Sequence, residues 1–306
     1  MLAGLNAFNP TFLTDLTAAE SRINKANREL SSGLRVNQAS DDPAAIGAIL
    51  GFQSQFEQVT QVQSNLAQAT TVANVGDSAL TSASTILDQL TSIAAQGANF
   101  TATAASRSTL AQQVQGIAKQ LVSLANTNFS GRYVFGGDDP NTQPYTFNWS
   151  VPGGVVRNNT AGNTATLTNS DGETLVPGQT AQQVFDAQNA NGSPAAGNIF
   201  QSVYALGQAL QNNDQAGVAA AATSIHASVA QLGQATTTSG ETLNWLQQSS
   251  DAATSKLTNL QTQLSGLRDA DAAKAATDLS TAETAVSAAI AAHGTLNIKS
   301  LFSYLG

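Results

Sequence analysis

The chain contains no cysteine, which removes disulfide frameworks, thiolate metal sites and cysteine nucleophiles from consideration. Charge is scarce as well. Lys, Arg, Asp and Glu make up 10% of the 306 residues, against roughly 25% in ordinary globular proteins, and no basic residue stands between Arg35 and Arg107. Twelve scattered basic residues and a net charge of −8 cannot build the clustered cationic groove that a phosphate backbone needs, so nucleic acid is not an expected partner. No apolar run approaches the ~18 residues of a membrane span, and no membrane insertion is expected. The start carries no charged region leading into an apolar core and a cleavage site. That pattern suits a cytoplasmic protein, and equally a substrate exported without a signal peptide.

Catalytic chemistry is thinly provided. His226 and His293 each lack a carboxylate three or four residues away that could orient them as general bases, so no enzyme activity is expected. Asp138-Asp139 and Asp171-Gly172 read as acidic turns, since the twelve-residue Ca²⁺ loop pattern is missing. The Gly-rich stretches lack the Lys-Ser/Thr ending of a phosphate loop. No cofactor and no metal are expected. Asn99-Phe100-Thr101 and Asn148-Trp149-Ser150 match a glycosylation pattern that recurs by chance.

What the chain does have is long helical periodicity. Val59, Val62, Leu66, Ala69, Ala73, Gly76, Leu80, Ala83, Leu87, Leu90 and Ala94 recur at alternating steps of three and four, the stripe of a helix packed along its length. A second register runs from Val218 through Ile225, Leu232, Leu243, Leu246, Leu257, Leu260 and Leu264 to Leu267. Two long helices from opposite ends of the chain are therefore expected to pack on each other, with Val59, Leu66, Leu80, Leu87, Leu243, Leu246, Leu257, Leu260, Leu264 and Leu267 as their core. Asn9-Pro10 predicts a helix start, with the stripe Phe12, Leu16, Ala19, Ile23, Ala26, Leu30 and a stop at Ser32-Gly33. Asp42-Pro43 repeats the cap-and-proline start, which leaves Ser32 to Asp42 as a linker. A helix from Pro43 to about Gln96 would be roughly 80 Å long.

After a break at Gly97 to Thr103, Leu110, Val114, Ile117, Leu121 and Leu124 predict a third helix ending near Asn126. Tyr145, Phe147, Trp149 and Val151 then alternate with polar residues as in a half-buried strand. Tyr133 to Phe135, Val155-Val156, Ala165 to Leu167 and Leu175-Val176 are shorter strand candidates among turn residues. Ile199, Val203, Leu206 and Leu210 return to helical spacing before Asn212-Asn213-Asp214 breaks it. The C-terminal register shifts by one residue at Arg268 to Asp271, a hinge or boundary, and resumes as Ala272, Ala275, Leu279, Ala282, Val286, Ala289 and His293. An apolar tail follows, with Leu296, Leu301, Phe302 and Leu305. The fold class is mainly α with a small β-rich insertion. Its expected parts are 1–42, an N-terminal assembly segment plus linker; 43–129, rod helices; 130–195, the β-rich insertion; 196–267, C-terminal rod helices; and 268–306, a C-terminal assembly segment.

Leu30 to Asn37 followed by Asp41, Asp42, Pro43 and Ala44 resembles the segment that joins the innermost helix of the flagellin superfamily to its rod. Arg268 to Asp271 and Leu301 to Leu305 resemble the C-terminal turn and apolar end of the same proteins. Asn126 to Gly137, containing Gly131, Arg132, Tyr133 and Phe135, is similar to members at the junction of hook and filament. Val176 to Thr180, ending in Val184-Phe185, resembles the close of their β region. The resemblance implies a secreted, extracellular structural subunit of the bacterial flagellum that assembles with itself in a ring or helix and supports swimming motility. It also implies a neighbouring hook-associated protein and flagellin as partners, and an export chaperone for the C-terminal helix. Phe12, Leu16, Ile23, Leu30, Leu279, Val286, Ile290, Leu296, Leu301, Phe302 and Leu305 become candidate assembly residues, because two short stripes and a tail are too small to form a core alone. A short filament flagellin and a secreted helical adhesin or translocation helper remain alternatives. The arginines through which animal receptors detect flagellins are absent from Leu87 to Ile93, so that recognition does not carry over.

Overall fold

In the computed structural model the backbone is described for residues 3–302 and side-chain environments for residues 12–292. The helices are α1 (Ala3–Ser32), α2 (Pro43–Ala98), α3 (Ala104–Ala125), α4 (Ala181–Phe185), α5 (Ile199–Gln211), α6 (Gln215–Arg268) and α7 (Ala272–Phe302). The chain forms two compact units. Unit 1 comprises Met1–Gln58 and Lys256–Gly306, and unit 2 comprises Val59–Ser255.

In unit 1, α1 pairs with α7. The buried positions are Ala26, Ala275 and Ala282, flanked by half-buried Phe12, Leu16, Ile23, Leu279 and Val286. This spacing of three and four is that of a two-helix seam, here lined with small residues so that the backbones approach closely. α1 ends at Ser32 because Gly33 takes φ +70° and donates its N–H to the Glu29 carbonyl, a left-handed C-terminal cap. α2 starts where Asp42 accepts from the Ala45 N–H at 3.1 Å and Pro43 occupies the first helical position. A second cluster of unit 1 joins Val36, Ile49 and Leu264, with Phe52, Phe56 and Leu267 packed against it.

The start of α1 differs from the expectation at Asn9-Pro10, since the helix already runs from Ala3. Pro10 forfeits one backbone bond, but the helix is paired with α7, and tertiary pairing outweighs a local cap signal in setting a helix's extent.

In unit 2, α2 and α6 run antiparallel. Gln63 donates to Thr254 at 3.0 Å and, toward the far end of α2, Gln215 donates to the Ala98 carbonyl at 3.1 Å. Fully buried Leu80, Leu87, Leu90, Leu121, Leu206 and Ile225 belong to one core contributed by α2, α3, α5 and α6.

Three separate two-stranded antiparallel hairpins lie between α3 and α5 in sequence: β1 (Asn128–Phe129) with β2 (Arg132–Tyr133), β3 (Tyr145–Phe147) with β4 (Val155–Arg157), and β5 (Leu167–Thr168) with β6 (Thr174–Leu175). The strand expected from Tyr145 to Val151 stops at Phe147. Asn148 instead accepts from the Ser150 N–H, and Pro152 opens a 3₁₀ turn at Pro152–Gly154, so Trp149 leaves the pleat and packs edge-on against Tyr204 with ring centroids 5.2 Å apart. Similarly, Phe135 lies beyond β2 but is buried, edge-on to Phe185 at 5.7 Å. The candidates at Ala165 to Leu167 and Leu175-Val176 shrink to the two residue pairs of β5 and β6. α4 escaped the sequence reading, although Thr180 and Gln183 form a capping box at its start.

Candidate assembly surfaces

The α1–α2 linker and the α6–α7 break, far apart in sequence, meet within unit 1. Leu34 and Asp269 form an antiparallel β-bridge. The Arg35 N–H donates to the Arg268 carbonyl at 2.7 Å, and the Ala270 N–H donates to the Gly33 carbonyl at 2.9 Å. The Arg35 side chain adds two bonds, to the Asp42 carboxylate at 2.9 Å and the Leu267 carbonyl at 2.5 Å. A cation thus sits on the last carbonyls of α6, where the helix dipole favours it, and the same cation holds the residue that caps α2. That hydrogen bond from Arg35, followed by the Ala45 N–H, holds the Asp42 carboxyl below its usual value against the opposing effect of burial. Asp41 closes the linker turn by accepting from the Asn37 and Gln38 N–H groups.

The outer surface of the α1–α7 pair is not wholly polar. Leu13 and Ile290 are each 55% exposed, and Leu30 is also exposed. The side chains of Leu296, Leu301, Phe302 and Leu305 lie outside the described residues.

Of the expected helix core, Val59, Leu66, Leu80, Leu87 and Leu246 are buried in unit 2, and Leu260 and Leu264 in unit 1. Leu243, Leu257 and Leu267 are half-buried, and Pro43 is exposed.

Gly131 and Arg132 form the exposed tip of the first hairpin, with Tyr133 half-buried. Ser130 and Gly131 both take positive φ, which makes the two-residue turn match the twist of its strands. Behind it, Gly136 and Gly137 are fixed by close approach. A Cβ on Gly137, at φ +62°, would lie 2.2 Å from the Gly162 carbonyl oxygen, and one on Gly136 would lie 2.7 Å from the Pro140 Cα. The hairpin and the Pro177–Gln179 segment border a cleft of about 430 Å³ against Gln68 and Val72 of α2.

Two polar centres escaped the sequence reading. Asp186 accepts from the Tyr145 hydroxyl at 3.0 Å, Arg157 Nε at 2.8 Å and Asn198 Nδ2 at 2.7 Å. Burial and then the Asp186 charge push the Tyr145 hydroxyl far above its ordinary pKa. For Arg157 burial is the largest single influence and works against the charged form, but the bond to Asp186, the Asp186 charge and Tyr145 together outweigh it and raise the pKa. At the other centre, Arg107 is buried and donates to the Gly97 and Asn99 carbonyls and to Asn213 Oδ1. It seals the C-terminus of α2 to the α5–α6 turn. Its position as the first basic residue after Arg35 was a visible signal, though its three partners were not.

His226 is exposed on α6, and the His293 side chain lies outside the described residues. Asp138 clasps Thr164 through that residue's N–H and hydroxyl. Among the described residues no group of three His, Asp or Glu side chains is placed to hold a metal ion, and no helix is long and apolar enough to cross a membrane.

Residues 6–139 match the family profile of the bacterial flagellin N-terminal helical region. The fold is similar to a solved structure of a flagellar hook-associated protein from Vibrio parahaemolyticus, with TM-score 0.65 and 24% identity over 75% of this chain and 100% of that one. Over residues 6–139 the chain therefore resembles the flagellin superfamily. A second solved structure, flagellar hook associated protein-3 from Legionella pneumophila, gives TM-score 0.61 at 17% identity, covering 72% of this chain and 98% of that one. Both are likenesses of fold. In sequence, the chain is 27% identical over 183 residues to flagellar hook-associated protein 3 of Salmonella typhimurium, covering 60% of this chain and 56% of that protein. It is 28% identical over 127 residues to a flagellin of Clostridium tyrobutyricum, covering 42% of this chain and 34% of that protein. The matches thus span about a third to just over half of these relatives' lengths.

Proposed function

We propose that this chain is a structural, non-enzymatic subunit of the bacterial flagellum, placed at the junction of hook and filament. In this reading Phe12, Leu16, Ile23, Leu279 and Val286 join α1 to α7, and Leu30, Ile290 and the apolar end from Leu296 to Leu305 face neighbouring subunits. The segments 1–42 and 268–306 form the assembly end, 43–129 and 196–267 the supporting helices, and 130–195 the outer insertion. The subunit is exported, kept soluble by a chaperone on its C-terminal helix, and then meets copies of itself, a hook-associated protein and flagellin outside the cell.

One observation carries the junction over the filament. The likeness to the Salmonella hook-associated protein 3 extends over 183 residues. It therefore reaches at least 44 residues beyond the stretch 1–139 that contains the flagellin N-terminal helical region. Immunogold labelling of flagella from the source bacterium should place this chain in one narrow band between hook and filament, and deletion of its gene should leave hooks that bear no filament. Labelling along the whole filament would instead favour a filament flagellin. A chain absent from the flagellum would leave the adhesin reading.

A further inference from the structure

The cleft bordered by the first hairpin lies wholly within unit 2. Its volume of about 430 Å³ falls in the roughly 300–1,000 Å³ range of small-ligand sites. Much of its polar lining is uncommitted. Gln68 and Arg132 make no side-chain hydrogen bond or ion pair among the described residues. Asn163 and Gln179 spend only their amide nitrogens, on the Gly178 carbonyl at 2.5 Å and the Ala235 carbonyl at 2.8 Å, so their side-chain oxygens remain free acceptors. Phe129 and Tyr133 supply ring surface. Among the described residues no carboxylate lines the cleft, and Asp138, close to it in sequence, is already clasped to Thr164.

Beside the cleft, and sharing Val72, Val134 and Gln179 with it, a recess of about 40 Å³ reaches α6. Leu80 and Phe135 help to wall it, and Ser239 of α6 adds a hydroxyl. Ser239 is only 8% exposed, yet that hydroxyl makes no hydrogen bond among the described residues. Its neighbours Thr236, Thr237, Thr238 and Thr242 each donate to the carbonyl four residues back, the local way in which a helix satisfies a hydroxyl. Ser239 lines the recess without doing so. A buried hydroxyl in that state is completed by a water or by a ligand.

We propose that the cleft binds an N-acetylated sugar acid. The acetamido methyl fills the recess, which has room for one group of about that size, and the acetamido oxygen accepts from Ser239. The sugar ring lies against Phe129 and Tyr133 with its hydroxyls on Gln68, Asn163 and Gln179, because a hydroxyl both donates and accepts and so suits amide side chains. Its carboxylate pairs with Arg132, the exposed cation on the rim, where no acid of the lining competes.

Two sources carry this chemistry, N-acetylmuramic acid from the bacterial cell wall and N-acetylneuraminic acid from animal-cell glycans. In ligand-observed NMR with the full chain, at least one of them should bind with a Kd of about 1 mM or tighter. N-acetylglucosamine, which lacks the carboxylate, and glucuronic acid, which lacks the acetamido group, should each bind about fivefold more weakly, the effect of losing one partly exposed ion pair or one hydrogen bond. The acid that binds more tightly identifies the source, and equal affinities would mean that the shared groups alone are read. Arg132→Gln should remove the advantage over N-acetylglucosamine, and Ser239→Ala the advantage over glucuronic acid. Arg132 is exposed and alanine suits a helix, so both variants should keep the parent's melting curve, which separates lost binding from lost folding. Binding of neither acid, equal binding of N-acetylglucosamine and glucuronic acid to the better acid, or affinities that ignore both substitutions would overturn the proposal.

Discussion

The Arg35 guanidinium bonds the Leu267 carbonyl at 2.5 Å across 232 positions of sequence. Its other arm holds Asp42. One side chain therefore ties the end of α6 to the start of α2, at the place where α1 ends and α7 begins. Arg35→Ala should lower the stability of the full chain by about 1 kcal/mol, since the pair is partly exposed and hydrogen bonds of this kind contribute modestly. Amide exchange at Ala270 and Val36 should quicken, because the backbone bridge loses its side-chain support. Unchanged exchange at both amides would show that the backbone bonds suffice without Arg35.

Acid should loosen the same junction. The folded pKa of Asp42 lies below its ordinary 3.8, with the Arg35 bond as the leading cause. A depressed carboxyl pKa adds stability that is fully present above the unfolded value and is lost as pH falls through the folded one. Stability contributed by Asp42 should accordingly be constant from neutral pH to about pH 5 and decline below roughly pH 4. Urea unfolding between pH 2 and 6 checks this. The parent should lose more stability on acidification than Asp42→Asn, and equal losses would remove Asp42 from the account.

The two substituents of the Asp186 centre should differ in cost. Tyr145→Phe removes one neutral donor and leaves Asp186 with Arg157 and Asn198, at a cost of about 1 kcal/mol. Asp186→Ala strands the Arg157 cation and the buried Tyr145 hydroxyl together and should cost about 3 kcal/mol, since a removed partner leaves an uncompensated charge. Denaturant midpoints for the two variants test the order. Equal losses would mean that Arg157 finds another partner when Asp186 is gone.

Gly137→Ala should destabilise unit 2 by about 1–3 kcal/mol, because it combines a left-handed backbone with a carbonyl in the way. Gly131→Ala, also at positive φ but with nothing within 4 Å of its would-be Cβ, should cost less, roughly 1 kcal/mol. A reversed order in melting temperature would mean that the Gly162 carbonyl yields easily.

Much of the fold was legible in the residues themselves. Alternating steps of three and four marked every long helix, since burial on one side of a helix must repeat with its turn. Gly33, Asp42-Pro43 and Asp271 marked the ends, because capping is a local interaction that neighbouring residues supply. The pairing of helices from opposite ends of the chain followed from matching stripes. The β region was less legible. Two- and three-residue strands carry too few alternations to signal a period, and Trp149 sits where it does because Gly207 of α5 leaves a space for its ring.

Local sequence thus determined which long segments are helical and marked the ends at Gly33 and Asp42-Pro43, but not the start of α1 at Ala3, the extent of α7 to Phe302 or the short α4. It could not specify that Arg35 would meet Leu267, that Arg107 would collect the carbonyls of Gly97 and Asn99, or that Asp186 would gather Tyr145, Arg157 and Asn198. Each of those is a polar meeting between distant segments. The need to satisfy buried donors and acceptors requires that partners exist, but only the packed chain decides which residues they are.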